Sequence, residues 1–216
     1  MTESPQEPPP STEVVWPDAT ARLRGDPSFG PLVEEIGPVR LPPRRHTAFG
    51  SLAAQIIYQQ LAGAAAKTIH DRFLNHFGPD GVEPATILAA SDEALRGVGL
   101  SGSKAAAIRD LARKVEERAL HLDRLDDLPE AEVVEQLTQV RGIGPWTAHM
   151  YLLFDLRRPD VWPVGDLGVR KGLERALGLS AIPTPEATRW IGTGYRPWRS
   201  ALAWYCWRAL EVMPPE

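Results

Sequence analysis

Asp166 closes the turn Pro163-Val164-Gly165-Asp166 and stands directly before an apolar-periodic run, Leu167, Val169, Leu173 and Leu177. A carboxylate in that place has two possible uses. It can cap the first turn of the helix the run predicts. Held in a partly dry recess, it can also stabilise a developing positive charge and orient or deprotonate an attacking water. Upstream, Gly142-Ile143-Gly144-Pro145 separates the apolar-periodic run Val133, Val134, Leu137, Val140 from a second one, Trp146 to Phe154. Two glycines let a backbone turn tightly and approach a ligand, and Pro145 suits the first position of a helix. The amides around Gly142, Ile143, Gly144, Trp146 and Thr147 would then converge at a helix start, a natural seat for a phosphate. Such a turn can equally be a plain corner between helices. An anion seat followed by a lone acid in a Pro/Gly loop is the more informative combination.

The elements that must position these groups read as helices throughout. Phe29, Leu32, Val33 and Ile36 recur at helical spacing before Gly37-Pro38. Ala48 to Phe77 forms one long apolar-periodic, alanine-rich stretch closed by Gly78-Pro79. Further helices are predicted over 84–90, 92–98, 104–120, 129–140, 146–156, 167–177, 185–191 and 198–213. Nothing alternates with period two, so the fold class is all-α. The segment Gly97-Val98-Gly99-Leu100-Ser101-Gly102-Ser103-Lys104 resembles a second hairpin but reads as a helix-to-helix turn capped by Ser101 or Ser103.

With 216 residues and 43% hydrophobic content the chain can bury a core without staples. Its one cysteine, Cys206, excludes an internal disulfide, a cysteine-ligated zinc and an iron–sulfur cluster. The five histidines show no ligand-like spacing, so no catalytic metal is expected. No apolar run has the length of a membrane span, and the N-terminus lacks a secretory pattern, so a cytoplasmic protein is expected, or a nuclear one in a eukaryote. The net charge of −4 lies entirely in residues 1–40, which carry seven acids and three bases. The remainder is neutral, which allows a local basic face and moderate, salt-sensitive binding to nucleic acid. Residues 1–17, rich in proline and acid, read as a loose tail.

On the hairpin and the loop ending in Asp166 the chain resembles the helix-hairpin-helix (HhH-GPD) DNA glycosylase superfamily, and within it the AlkA-like, 3-methyladenine DNA glycosylase II branch. Further matches are Ile56-Ile57-Tyr58-Gln59-Gln60-Leu61, Gly99-Leu100-Ser101 with Lys104-Ala105, the run Val164 to Lys171, and Pro197-Trp198-Arg199-Ser200. The resemblance spans about Asp26 to Trp207 and is to the short form without an N-terminal sheet domain. It implies a bilobal helical fold with a cleft between lobes: a central lobe over about 50–157 with the hairpin at 137–148, and a second lobe from 18–49 plus 158–216.

The resemblance also implies a function, a monofunctional glycosylase that flips alkylated purines such as 3-methyladenine and 7-methylguanine out of duplex DNA and hydrolyses the N-glycosidic bond. Asp166 then stabilises the oxocarbenium-like transition state. Trp146 stands where strand-cutting members carry a Schiff-base lysine. Gln60 is the expected wedge, with Gln59 and Leu61 beside it. Tyr58, Trp146, Trp162, Trp204 and Trp207 are available to line the base pocket. Met150 replaces an aromatic residue there, which bears on substrate range. Damaged duplex DNA is the expected partner of a monomer. No cofactor is expected beyond a structural monovalent cation on the hairpin carbonyls. Two alternatives stay open: a glycosylase for an oxidised or deaminated base, and a non-catalytic DNA-binding module.

Overall fold

The computed structural model describes residues 13–43, 46–61, 63–78 and 82–212. In chain order the elements are β1 (Glu13–Val14), α1 (Pro17–Arg24), α2 (Gly30–Ile36), β2 (Arg40–Leu41), α3 (Ala48–Tyr58), α4 (Gly63–Phe77), α5 (Pro84–Ala89), α6 (Asp92–Gly97) and α7 (Gly102–Glu116). A short 3-10 turn (Leu122–Arg124) precedes α8 (Glu130–Thr138) and α9 (Pro145–Met150), which runs into a π-helical turn (Tyr151–Asp155). Then follow α10 (Leu167–Leu177), α11 (Pro185–Gly192), a 3-10 turn (Thr193–Tyr195) and α12 (Arg199–Val212). The all-α class holds, with one small addition.

That addition is a two-stranded antiparallel ribbon in which Glu13 faces Leu41 and Val14 faces Arg40. Two residues per strand are too few to show an alternating pattern. The loose tail read over residues 1–17 is therefore corrected at its end: Val15 is buried, its amide donates to Val39 O, and Pro17 already opens α1. Residues 1–12, Pro79 and Met213 lie outside the described residues.

The chain forms two compact units, residues 45–161 and the remainder. In the continuous unit, Leu52, Ile56 and Ile57 of α3 pack in a core with Phe73 of α4, Ile87 of α5, Ile108 and Leu111 of α7, and Leu137 of α8. Each such side chain contributes about 1.5–3 kcal/mol through burial. Helix starts are fixed by side-chain caps: Thr47 accepts from Gly50 N, Ser91 from Ala94 N and Ser101 from Lys104 N. Ser101 is thus the cap of the segment that mimics a second hairpin, as its composition suggested.

The long helix read over Ala48 to Phe77 is in fact two, α3 and α4, parted by a turn at Gln59–Leu61. Gly63, the first residue of α4, is the one local mark of that break. Similarly, the regular helix expected over 146–156 widens after Met150. Leu156 N reaches back five residues to Tyr151 O, the signature of a π-helix.

In the discontinuous unit, Leu23 of α1, Leu32 and Val33 of α2, Val169 and Leu173 of α10, and Leu202 and Tyr205 of α12 are buried together. The Tyr205 hydroxyl donates to Gly37 O at 2.8 Å, so a buried aromatic keeps its polar tip satisfied. Gly172 is where α10 meets α12. A Cβ at that position would lie 2.1 Å from the carbonyl oxygen of Cys206, so only glycine permits this backbone approach.

Candidate active site

Asp166 is the N-cap of α10. Its Oδ1 accepts from Val169 N at 2.7 Å and from the indole Nε1 of Trp207 at 2.9 Å, and only 8% of the residue is exposed. The capping use read from sequence is therefore real. The second bond comes from α12, forty-one residues away in sequence, and fixes the carboxylate's rotation as well as its position. Gly168 makes the contact possible, since a Cβ there would meet Trp207 Cδ1 at 2.8 Å. Sequence reading placed Trp207 and Gly168 near the right motifs but missed that they act on Asp166.

Two other tryptophans of this unit, Trp162 and Trp204, serve packing. Trp162 is buried, donates its Nε1 to Thr188 O at 2.9 Å and lies against Gly192, where a Cβ would come within 2.3 Å of that nitrogen. It is corrected from a pocket candidate to a core residue. Trp204 is likewise buried, with the Arg208 guanidinium 5.1 Å from its ring centroid and Tyr205 edge-on at 5.0 Å.

In the other unit, the hairpin between α8 and α9 divides its five candidate phosphate contacts. Gly142 has φ +79°, which favours glycine, and a Cβ there would press on Ala107 Cβ at 3.2 Å. Gly144 has an ordinary φ of −98° and open space where a Cβ would stand. The tight turn thus needs one glycine, not two. The openness over Gly144 leaves room for an approaching strand. Ile143 and Thr147 are buried; Ile143 N donates to Val140 O, and Thr147 Oγ1 accepts from Gln59 Nε2 at 3.1 Å. The Ile143 amide is thus committed within the hairpin, and the Thr147 side chain braces it from behind. Pro145 takes the first helical position as expected, and Trp146 beside it is 48% exposed.

Gln59 Nε2 also donates to Gly142 O at 3.0 Å. Its amide is committed to the hairpin, which removes it from the wedge candidates. Gln60 and Leu61 remain at the surface of the turn after α3, Leu61 39% exposed. Gln60 has φ +56°, a left-handed conformation that costs a non-glycine residue about 1–2 kcal/mol. The offset comes from Lys104 of α7, whose ammonium donates to Ile57 O at 2.6 Å and Gln59 O at 2.8 Å. Those carbonyls end α3 without helical partners, and each charge-assisted bond contributes about 1.5–3 kcal/mol. Lys104, read from sequence only as part of a helix-to-helix turn, thus holds the turn after α3. Its spacing to Tyr58-Gln59-Gln60 gave no signal of the contact.

Tyr58 is 41% exposed, with its ring edge-on to His70 at 5.7 Å, while Met150 is buried in α9. His149 stands 3.9 Å from Glu130 Oε1, and burial holds its pKa below the usual histidine value. Among the described residues, no group of three or more His, Cys, Asp or Glu side chains is arranged to hold a metal ion.

A hairpin at the head of a helix, a turn with surface Gln and Leu, and a capped aspartate after a Pro/Gly loop now stand as geometry. Residues 53–193 match the model of the HhH-GPD superfamily base excision DNA repair proteins. This chain belongs to that superfamily. HhH-GPD relatives at comparable identity include DNA-3-methyladenine glycosylase 1 of Schizosaccharomyces pombe, 31% identical over 76% of this chain and 73% of that protein. YfjP of Bacillus subtilis is 31% identical over 77% of this chain, but the match takes in 60% of its own length. Among solved structures, a 3-methyladenine DNA glycosylase of S. pombe in complex with abasic DNA superposes with TM-score 0.79 at 28% identity, covering 92% of this chain and 99% of that one. A DNA-3-methyladenine glycosidase from Bacillus halodurans gives 0.80 at 31% identity, with 92% of each chain covered. Among the described residues no helix is long and apolar enough to cross a membrane.

Proposed function

We propose that this HhH-GPD chain is a monofunctional DNA glycosylase that removes alkylated purines, 3-methyladenine and 7-methylguanine, from duplex DNA. The observation that carries the reading is the Asp166 carboxylate, held by Val169 N and Trp207 Nε1 through the same oxygen. A pure DNA binder gains nothing from a fixed anion beside a polyanion, and a cap needs only the Val169 bond. An anion whose rotation is locked by a second donor suits charge that develops at a defined place.

The chemistry follows from that charge. As the bond between C1′ and the purine nitrogen breaks, its electron pair stays on the base, and an alkylated, cationic purine departs neutral. The sugar becomes oxocarbenium-like, and a preorganised carboxylate stabilises it more in the transition state than in the ground state. Water then adds to C1′ and gives up a proton, with Asp166 as acceptor, leaving an abasic site and a free base. Trp146 cannot form the imine with the sugar that a lysine would, which supports hydrolysis without strand cleavage. Gly144 and Trp146 offer an open approach for a DNA backbone, and Gln60 or Leu61 fills the gap left by the extruded nucleotide. Exposed Tyr58 and Trp146 supply electron-rich rings that favour a cationic base. The protein acts as a monomer on this reading.

The test uses duplexes with single defined lesions, followed by alkali to reveal abasic sites. Wild type should generate breaks only after alkali. Asp166→Asn, which keeps the cap, should lose roughly 100-fold or more in rate while binding the same duplexes, the scale of removing one preorganised electrostatic contact. Equal rates in the two proteins would end the mechanism.

A further inference from the structure

We infer that Lys104 is a positioning residue for base extrusion, and that one face of α7 locks the Gln59–Leu61 turn and the hairpin into a single rigid tool. The inference rests on the duplex-opening reading above and adds the device that holds the wedge.

The argument begins with spacing. Lys104, Ala107 and Asp110 are three residues apart, so they share a face of α7. Each touches a different part of the strand-facing surface from behind. Lys104 Nζ holds the last carbonyls of α3, at Ile57 and Gln59. Ala107 lies against Gly142, the hairpin residue with positive φ. Asp110 Oδ2 accepts from Arg141 N at 2.9 Å, at the hairpin's entry, while its Oδ1 accepts from Arg113 at 2.6 Å. The Gln59 amide closes the loop by bonding Gly142 O and Thr147 Oγ1. The turn and the hairpin are therefore joined twice, once directly and once through α7.

Two features say that Lys104 does more than pack. First, Gln60 keeps a left-handed backbone without being glycine, and the two carbonyls fixed by Lys104 belong to Ile57 and Gln59, immediately before it. Second, α7 carries a comparable cation farther along, Arg109, which donates to Ile87 O and Ala90 O at the end of α5 and pairs with Asp92. Arg109 caps a helix that leads to no strand-facing turn. The two cations have the same structural job, and only one serves the wedge. Burial also lowers the Lys104 pKa, consistent with an ammonium drawn in to reach backbone oxygens.

A side chain inserted into a base stack must arrive at a fixed offset from the phosphates that the hairpin grips. Without Lys104 the end of α3 frays, Gln60 relaxes out of its left-handed conformation, and Leu61 moves with it. The hairpin still binds. What is lost is the coupling of grip to insertion, so the cost falls on opening a paired lesion and not on cleaving one already unpaired.

The experiment compares wild type, Lys104→Met, Lys104→Arg and Arg109→Met on one strand bearing 7-methylguanine, annealed either opposite cytosine or opposite a tetrahydrofuran abasic analogue. Lys104→Met should lose about tenfold in rate on the paired lesion, the scale of a misplaced group remote from the reacting atoms, and little on the unpaired one. Lys104→Arg should restore most of the loss. Arg109→Met should lower thermal stability yet keep the ratio of the two rates. A parallel reading with 2-aminopurine beside an abasic analogue reports unstacking without any cleavage; Lys104→Met should bind the duplex but give a reduced fluorescence rise. Absence of base release in wild type, with this unstacking difference intact, would count against the glycosylase reading alone. Equal unstacking in wild type and Lys104→Met, or equal loss on paired and unpaired lesions, would overturn the inference.

Discussion

The α10–α12 pair and the surface formed by the Gln59–Leu61 turn and the hairpin hold their key groups by opposite means. Asp166 is nearly enclosed, set on a helix whose Gly172 lies backbone to backbone against α12, with Gly168 clearing the way for Trp207. Gln60, Leu61 and Trp146 are exposed, and the turn and hairpin that carry them are braced from behind: Lys104 and Gln59 donate to their carbonyls, and Asp110 accepts from Arg141 N. Close packing leaves no slack, since interiors respond to a shift of even one methylene. Polar bracing fixes a backbone while leaving its outer face free to meet a partner. A group that must sit still relative to a reacting atom is thus buried, and a group that must enter another molecule is propped.

The largest effect should come from filling the tight contact. Gly172→Ala puts a methyl 2.1 Å from Cys206 O and should cost about 3 kcal/mol or more, a fall of roughly 6–12 °C in Tm by calorimetry. Gly144→Ala, with nothing in reach of its new carbon, should leave Tm unchanged. A tolerated Gly172→Ala would mean that α10 and α12 can slide, and the contrast drawn above would collapse.

Next in size, Trp207→Phe removes the indole donor and keeps a ring. It should slow base release roughly ten- to a hundredfold, the worth of one hydrogen bond to a charged group, with duplex affinity nearly unchanged. A loss confined to KM would instead assign Trp207 to base binding and leave Asp166 held by its cap alone.

The smallest effect is on stability against pH, and it belongs to the propped unit. Burial holds His70 and His149 below the usual histidine pKa, and the buried Nε2 of His70 has no hydrogen-bond partner. His46 faces the same ring edge-on at 5.4 Å and lowers its pKa further, whereas Asp71 opposes the shift. The fold therefore favours neutral rings. Above the ordinary histidine value both states are neutral and no penalty arises; as pH falls through that value and below it, the unfolded chain binds more protons and stability declines. Urea midpoints should drop between about pH 7.5 and about pH 5, and His70→Phe should flatten part of that slope. A slope unchanged in the variant would place the titrating burden on His149 or elsewhere.

Much of this was legible in the residues. The start and end of α10, the hairpin with Pro145 at the head of α9, and the cap role of Asp166 follow from local rules of turn and helix chemistry. Other features were hidden for physical reasons. In the alanine-rich run from Ala48 to Phe77 only Gly63 hints at the break, because the end of α3 is held by an ammonium arriving from α7. The π-helical turn after Met150 reads as ordinary helix, since its apolar spacing is compatible with either. The short ribbon of Glu13–Val14 with Arg40–Leu41 has too few residues to carry a period. Of the three wedge candidates, sequence alone could not tell that Gln59 turns inward to the hairpin.

The sequence by itself determined a helical chain, where most of its helices from α5 onward begin, and the presence of one acid after a Pro/Gly loop, since propensity, capping and turn geometry act over a few neighbouring residues. Tertiary structure decided which donors hold that acid, which glycines are obligatory and which side chains of the Gln-Gln-Leu run face outward. Those outcomes depend on atoms that meet only after residues forty or more apart in the chain have packed, as Trp207 does with Asp166 and Lys104 with Ile57 and Gln59.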